Sequence, residues 1–120
     1  MDDNEGFMEI TVSKILDNAV MVSLRDTFDT MEISRFERIV HENAQDGVKV
    51  LALDVADLSF MDSSAISCLV RTHNALKKHG TEMVIVDIQH DILNIFKLAY
   101  LDRFFTIITR NEFLKYLDEK

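Results

Sequence analysis

The chain has 120 residues, of which 48% are hydrophobic and 28% charged, a balance that excludes intrinsic disorder and suits one domain burying roughly two thirds of its unfolded surface. Its 13 basic and 21 acidic side chains leave a formal net charge of −8, so the phosphate attraction needed for DNA or RNA is missing overall, and the acidity itself speaks for solubility rather than for fold. The single cysteine, Cys68, rules out an intramolecular disulfide and a cysteine-based metal cluster.

The opening Met1-Asp2-Asp3-Asn4-Glu5-Gly6 is acidic, the opposite of a secretory signal, and no apolar run approaches the ~20 residues of a membrane span. A cytoplasmic protein with one domain over residues 1–120 is expected. Glu9-Ile10-Thr11-Val12-Ser13 alternates polar and apolar, and after the turn-prone Asp17-Asn18 comes the β-rich stretch from Ala19 to Leu24, which together predict a hairpin. Asp29 or Thr30 is placed to cap a helix carrying Ile33, Phe36, Ile39, Val40 and Ala44 at three- and four-residue spacing, with Gly47 closing it.

The nearly continuous apolar run from Val48 to Val55 predicts a central strand covered on both faces, followed by a connector from Asp57 to Met61. Asp62-Ser63-Ser64 supplies capping side chains for a helix with Ile66, Leu69, Val70, His73 and Leu76 along one side, and Cys68 sits in that helix as a small core residue. Lys77-Lys78-His79-Gly80 ends it, with cations on the negative helix terminus. Met83 to Val86 reads as a buried strand, Ile92, Ile95, Phe96 and Ala99 as a short helix, Phe105 to Ile108 as the last strand and Glu112 to Leu117 as a terminal helix. The expected architecture is α/β: a mostly parallel central sheet with an added N-terminal strand and about four helices.

Several chemistries lack their residues. Three scattered glycines make neither a Walker nor a dinucleotide phosphate cradle. His41, His73, His79 and His90 show no zinc spacing and read as surface or locally bonded side chains. The glycine-flanked elbow of a nucleophilic serine is absent, and Tyr100, Phe104, Phe105 and Phe113, with no basic groove beside them, read as core rather than as a stacking platform. No catalytic residue, metal ligand or cofactor-binding residue is assigned.

What remains is the run from Asp57 to Ile66, which joins the central strand to a helix at the edge where parallel sheets carry their functional sites. Ordinary capping accounts for part of it, because Asp62 or Ser63 at a helix start is worth about 1 kcal/mol. The run also resembles a known family, the STAS domains, and within it the anti-sigma factor antagonists, whose hallmark is a central strand followed by D-L-S-x-x-D-S-S-G and a helix. Here Asp57-Leu58-Ser59-Phe60-Met61-Asp62-Ser63-Ser64 stands in that place, with Ala65 for the glycine. The resemblance extends to the opening strand pair, the loop ending in Asp29 and the strand from Glu82 to Val86.

The resemblance implies a binding protein, not an enzyme, that works as a partner switch. Ser63 would be the serine phosphorylated by an anti-sigma factor that is also a serine kinase; Asp62 and Ser64 would flank it in the contact surface, and Asp29 would lie near the partner. The unmodified form would hold the anti-sigma factor, the phosphorylated form would release it, and a serine phosphatase would reset the switch. Two departures stand out: Asp26-Thr27-Phe28-Asp29 replaces the family's G-E-L-D loop, and Ala65 stiffens the helix start by up to about 1 kcal/mol while adding a methyl beside the serine.

Two other readings compete. A phosphorelay receiver needs a lysine near its last strand, where this chain has Ile108-Thr109-Arg110, and it does not open with two consecutive strands. A STAS module without a phosphoswitch, serving as a scaffold or as the soluble subunit of a lipid transporter, has no need of the Asp62-Ser63-Ser64 run that is kept here.

Overall fold

The computed structural model describes residues 8–45 and 47–119; the acidic opening from Met1 to Gly6 lies outside them. The hairpin forms as expected from strands β1 (Glu9–Leu16) and β2 (Ala19–Phe28), paired antiparallel. Strands β3 (Val50–Met61), β4 (Glu82–Val86) and β5 (Thr106–Ile108) then add in parallel, giving one five-stranded sheet in the order β1-β2-β3-β4-β5. Four helices, α1 (Ile33–Asn43), α2 (Ser63–Lys78), α3 (His90–Leu98) and α4 (Arg110–Asp118), complete the α/β domain.

Parallel strands force long crossovers, and the hydrophobic pattern decides which face each helix covers. Phe36 and Val40 of α1, Leu69 and Leu76 of α2, and Ile92 and Phe96 of α3 join Leu51, Leu53, Val55 and Ile85 in the larger core. The other face carries a smaller core, where Phe113 of α4 lies on Met21, Val50, Ala52, Val84 and Val86. The central strands therefore read as continuous apolar runs because both of their faces are dry.

The central strand differs from expectation at both ends. It starts at Val50 rather than Val48, and Asp57 to Met61 is not a connector but its continuation. These residues keep pairing with β2, Arg25 opposite Asp57 and Phe28 opposite Met61, past bulges at which Asp26 adopts φ +80°. The stretch looks like a loop in sequence because β4 has already ended, with Val86 opposite Asp54, and solvent reaches Asp57, Ser59 and Phe60.

Asp29 caps a 3-10 turn, Thr30–Glu32, that leads into α1, its side chain accepting from the Met31 N–H at 3.0 Å. Helix α1 stops at Asn43, before Gly47, which turns the following loop at φ +87°. Helix α4 starts two residues earlier than read, because Thr109 and Glu112 form a capping box at 3.1 and 2.8 Å. Of the aromatics read as core, Phe105 and Phe113 are buried, but Tyr100 and Phe104 are exposed at 77% and 39%. Of the residues that marked the short helix α3, Ile92 and Phe96 are buried, whereas Ile95 and Ala99 are exposed.

Candidate functional site

The paired ends of β2 and β3 carry the sequence-identified residues to one place. Phe28, Leu58 and Met61 are buried and anchor the strand ends, and the Asp62 N–H donates to the Phe28 carbonyl at 3.2 Å, so the chain leaves β3 beside the exit of β2. Asp62 then caps α2: one carboxylate oxygen accepts from the Ala65 N–H at 2.8 Å. The other accepts from the Thr30 N–H at 3.2 Å and the Thr30 hydroxyl at 3.5 Å. A single side chain thus ties the turn that follows Asp29 to the helix that begins with Ser63.

The three serines of the run differ. Ser63, the first residue of α2, is exposed, and its hydroxyl makes no hydrogen bond among the described residues. Ser64 is half-buried. Ser59 is exposed, but its hydroxyl donates to the Asp26 carbonyl at 2.9 Å. The N–H groups at the start of α2 have no partner within the helix, and the positive end of the helix dipole faces the same space. A nucleophilic hydroxyl there is reachable, and an anion formed on it would meet a favourable field.

Ala65 is fully buried in the larger core. Its methyl therefore points inward and adds nothing to the surface around Ser63, a correction to what the motif alone suggested. Two side chains at this end carry a signal that pattern reading passed over. Met31 is 73% exposed between Asp29 and the buried Glu32, and Phe60 is 53% exposed between Leu58 and Asp62. Phe60 turns outward although Leu58, two residues before it, is buried, because a register shift opposite Asp26 and Thr27 interrupts the alternation of β3 there, and no sequence pattern announces that shift.

The rest of the strand-end region is structural. Asp54 accepts from the Ser23 hydroxyl at 3.1 Å and from Arg110 at 2.9 Å, while Arg110 also donates its backbone N–H to Asp87 at 2.9 Å. These bonds pin the start of α4 to the middle of β3 and the end of β4. Among the described residues no three His, Cys, Asp or Glu side chains are placed to share a metal ion, and no helix is long and apolar enough to cross a membrane. His41, His79 and His90 are exposed as expected. His73 is not: its ring packs 4.6 Å from Phe104 and 5.6 Å from Phe105, and its buried Nδ1 has no hydrogen-bond partner among the described residues. Burial, with Lys77 nearby, lowers its pKa below the ordinary value.

The STAS domain family matches residues 11–113. Among solved structures, the anti-sigma factor antagonist SpoIIAA in its unphosphorylated form superposes with a TM-score of 0.78 at 15% identity, over 93% of this chain and 98% of its own. An anti-sigma factor antagonist from Mycobacterium paratuberculosis gives 0.79 at 21% identity, over 91% and 92%. Murine Slc26a9, an anion transporter, gives 0.63 at 18% identity over 71% of this chain but 14% of that longer one. At these identities the likeness is one of fold.

Proposed function

This chain belongs to the STAS domain family, and from that premise we propose that residues 1–120 act as one cytoplasmic regulatory domain, an anti-sigma factor antagonist rather than an enzyme. In its unmodified form it binds a serine-kinase anti-sigma factor through a surface comprising Asp29, Asp62, Ser63 and Ser64, with Met31 and Phe60 as apolar contacts. Phosphorylation of Ser63 releases that partner, and a serine phosphatase restores binding. The observation that supports this reading best is the placement of Ser63: an exposed, unengaged hydroxyl at a helix start, tied through Asp62 to the turn that Asp29 caps.

The proposed release follows from charge. A phosphate carries about −2 at neutral pH and is tolerated at a helix N-terminus, so the free domain keeps its fold. In the complex the same group lies in a surface fitted to a neutral hydroxyl, where an unpaired buried charge costs about 3–5 kcal/mol. Even 3 kcal/mol is roughly a hundredfold in affinity. The test is phosphopeptide sequencing after reaction with a serine kinase of the anti-sigma type, together with binding of Ser63→Ala and Ser63→Asp to that kinase. Label on Ser63, persistent binding by Ser63→Ala and weak binding by Ser63→Asp are expected. Label confined to Ser64 or Ser59, or a phosphorylated form that stays bound, would refute the proposal.

A further inference from the structure

The end of the molecule opposite Ser63 has a different character. Helices α2 and α3 finish there, with Lys77 and Lys78 in the last turn of one and Lys97 in the last turn of the other, and Arg103 follows in the next loop. All four are exposed, and none makes an ion pair among the described residues. Of the acids nearby, Glu82 accepts the Tyr116 hydroxyl and Asp102 is half-buried. Helix dipoles account for cations at helix C-termini, but not for what lies between them.

Between them stand Leu98, 83% exposed, Tyr100, 77% exposed, and Phe104, 39% exposed. The two sets are contiguous: Lys77, Gly80 and Phe104 line one groove of about 410 Å³ together with Glu82, and Tyr100 is held against the end of α3 by its N–H bond to the Lys97 carbonyl at 3.1 Å. Tyr100 adopts φ +59° at the position after a helix where glycine is the default. An aromatic residue kept in that strained conformation, pointing to solvent, has no packing reason in the free molecule.

From this end we infer a second surface, one that docks on an anionic lipid bilayer, with Leu98, Tyr100 and Phe104 entering the headgroup region and the four cations facing lipid phosphates. Protruding apolar and aromatic groups ringed by basic side chains fit an interface that is apolar below and negative above. The net charge of −8 does not oppose this. Asp62 follows the carboxyl end of the 12-residue β3, about 40 Å from the other end at ~3.3 Å per residue, several times the ~8–10 Å screening length of physiological salt, while Asp118 and Glu119 end α4 on the opposite face of the sheet from α2 and α3. Docking so oriented leaves Ser63 facing the solvent, and it stands or falls independently of the switch.

The experiment is co-sedimentation of the full chain with vesicles of phosphatidylcholine alone and of phosphatidylcholine mixed equally with phosphatidylglycerol. Binding is expected to the mixed vesicles only, and to fall as salt is raised. Leu98→Asp should lower it by about tenfold or more, and Lys77→Glu with Lys78→Glu by about fivefold per charge removed, with melting temperatures unchanged. Leu114→Asp, at a 58% exposed leucine of α4, should leave binding as it is. Failure to bind the mixed vesicles, equal binding to both kinds, or equal loss with Leu98→Asp and Leu114→Asp would overturn the inference, the first of these pointing instead to an acidic protein partner.

Discussion

Asp62 offers a way to separate the two jobs that its carboxylate performs. Replacing it with alanine removes the cap on α2, worth about 1 kcal/mol, and the bonds from the Thr30 N–H and hydroxyl at 3.2 and 3.5 Å, worth about another 1 kcal/mol because the group is partly solvated and water replaces them in part. The expected cost is about 2 kcal/mol, or roughly 6–10 °C in Tm for a domain of this size. Asparagine is as good a cap as aspartate, and its carbonyl oxygen can still accept from the Ala65 N–H. Its amide nitrogen cannot accept from Thr30, so Asp62→Asn should cost only about 1 kcal/mol. Urea unfolding measures the totals, and amide exchange assigns them: Asp62→Asn should speed exchange at Thr30 and spare Ala65, whereas Asp62→Ala should speed both. If asparagine costs nothing while alanine costs the full cap, or if both lie within about 0.5 kcal/mol of zero as surface substitutions do, Asp62 does not tie the turn to the helix.

Glu32 is almost fully buried and holds the chain at Met8, accepting from its N–H at 3.3 Å and pairing with Arg35 at 2.9 Å. Glu32→Ala leaves the buried Met8 N–H without its acceptor and breaks the pair with Arg35, and should cost about 2–3 kcal/mol in urea unfolding, whereas Glu42→Ala, which breaks an exposed pair at 3.9 Å, should change stability by less than about 1 kcal/mol; similar losses would contradict this reading. Burial pushes the Cys68 thiol up from 9.0 to about 11, so the folded state binds this proton more tightly than the unfolded state. Its contribution is full below pH 9 and is lost as pH rises from 9 to about 11, by up to about 2–3 kcal/mol. Cys68→Ala should flatten the stability profile in that window, and an unaltered profile would count against it.

How much of this was legible in the sequence depended on whether a residue's partners were near in the chain. The hairpin, the helices and the parallel order followed from local periodicity, as did a cap at Asp62 or Ser63, of which the structure selects Asp62. The extension of β3 was not legible, because the stretch from Asp57 to Met61 owes its strand conformation to pairing with Arg25 through Phe28, more than thirty residues away. Tyr100 and Phe104 were misplaced for a related reason: an aromatic residue is apolar in any window, and only the packed helices show that Phe105 turns inward while its neighbours do not. The likeness to the family's motif brought Asp29 and Ser63 into one surface, yet only the geometry shows what joins them, the Thr30 N–H on the Asp62 carboxylate.

Under the proposed switch, the same extension of β3 would let a partner read a change of charge at Ser63 that the fold itself does not feel. Beyond Asp54 the strand has no β4 beside it, and it continues only because β2 continues with it. The buried ends Phe28, Leu58 and Met61 fasten this two-stranded projection to the core, while Ser59, Phe60 and Ser63 remain outside. A phosphate placed on Ser63 therefore displaces no packed group, and the cap beneath it is an acceptor already committed to Ala65 and Thr30. What changes is the outward surface alone, and the energetic cost falls on any protein that has covered it.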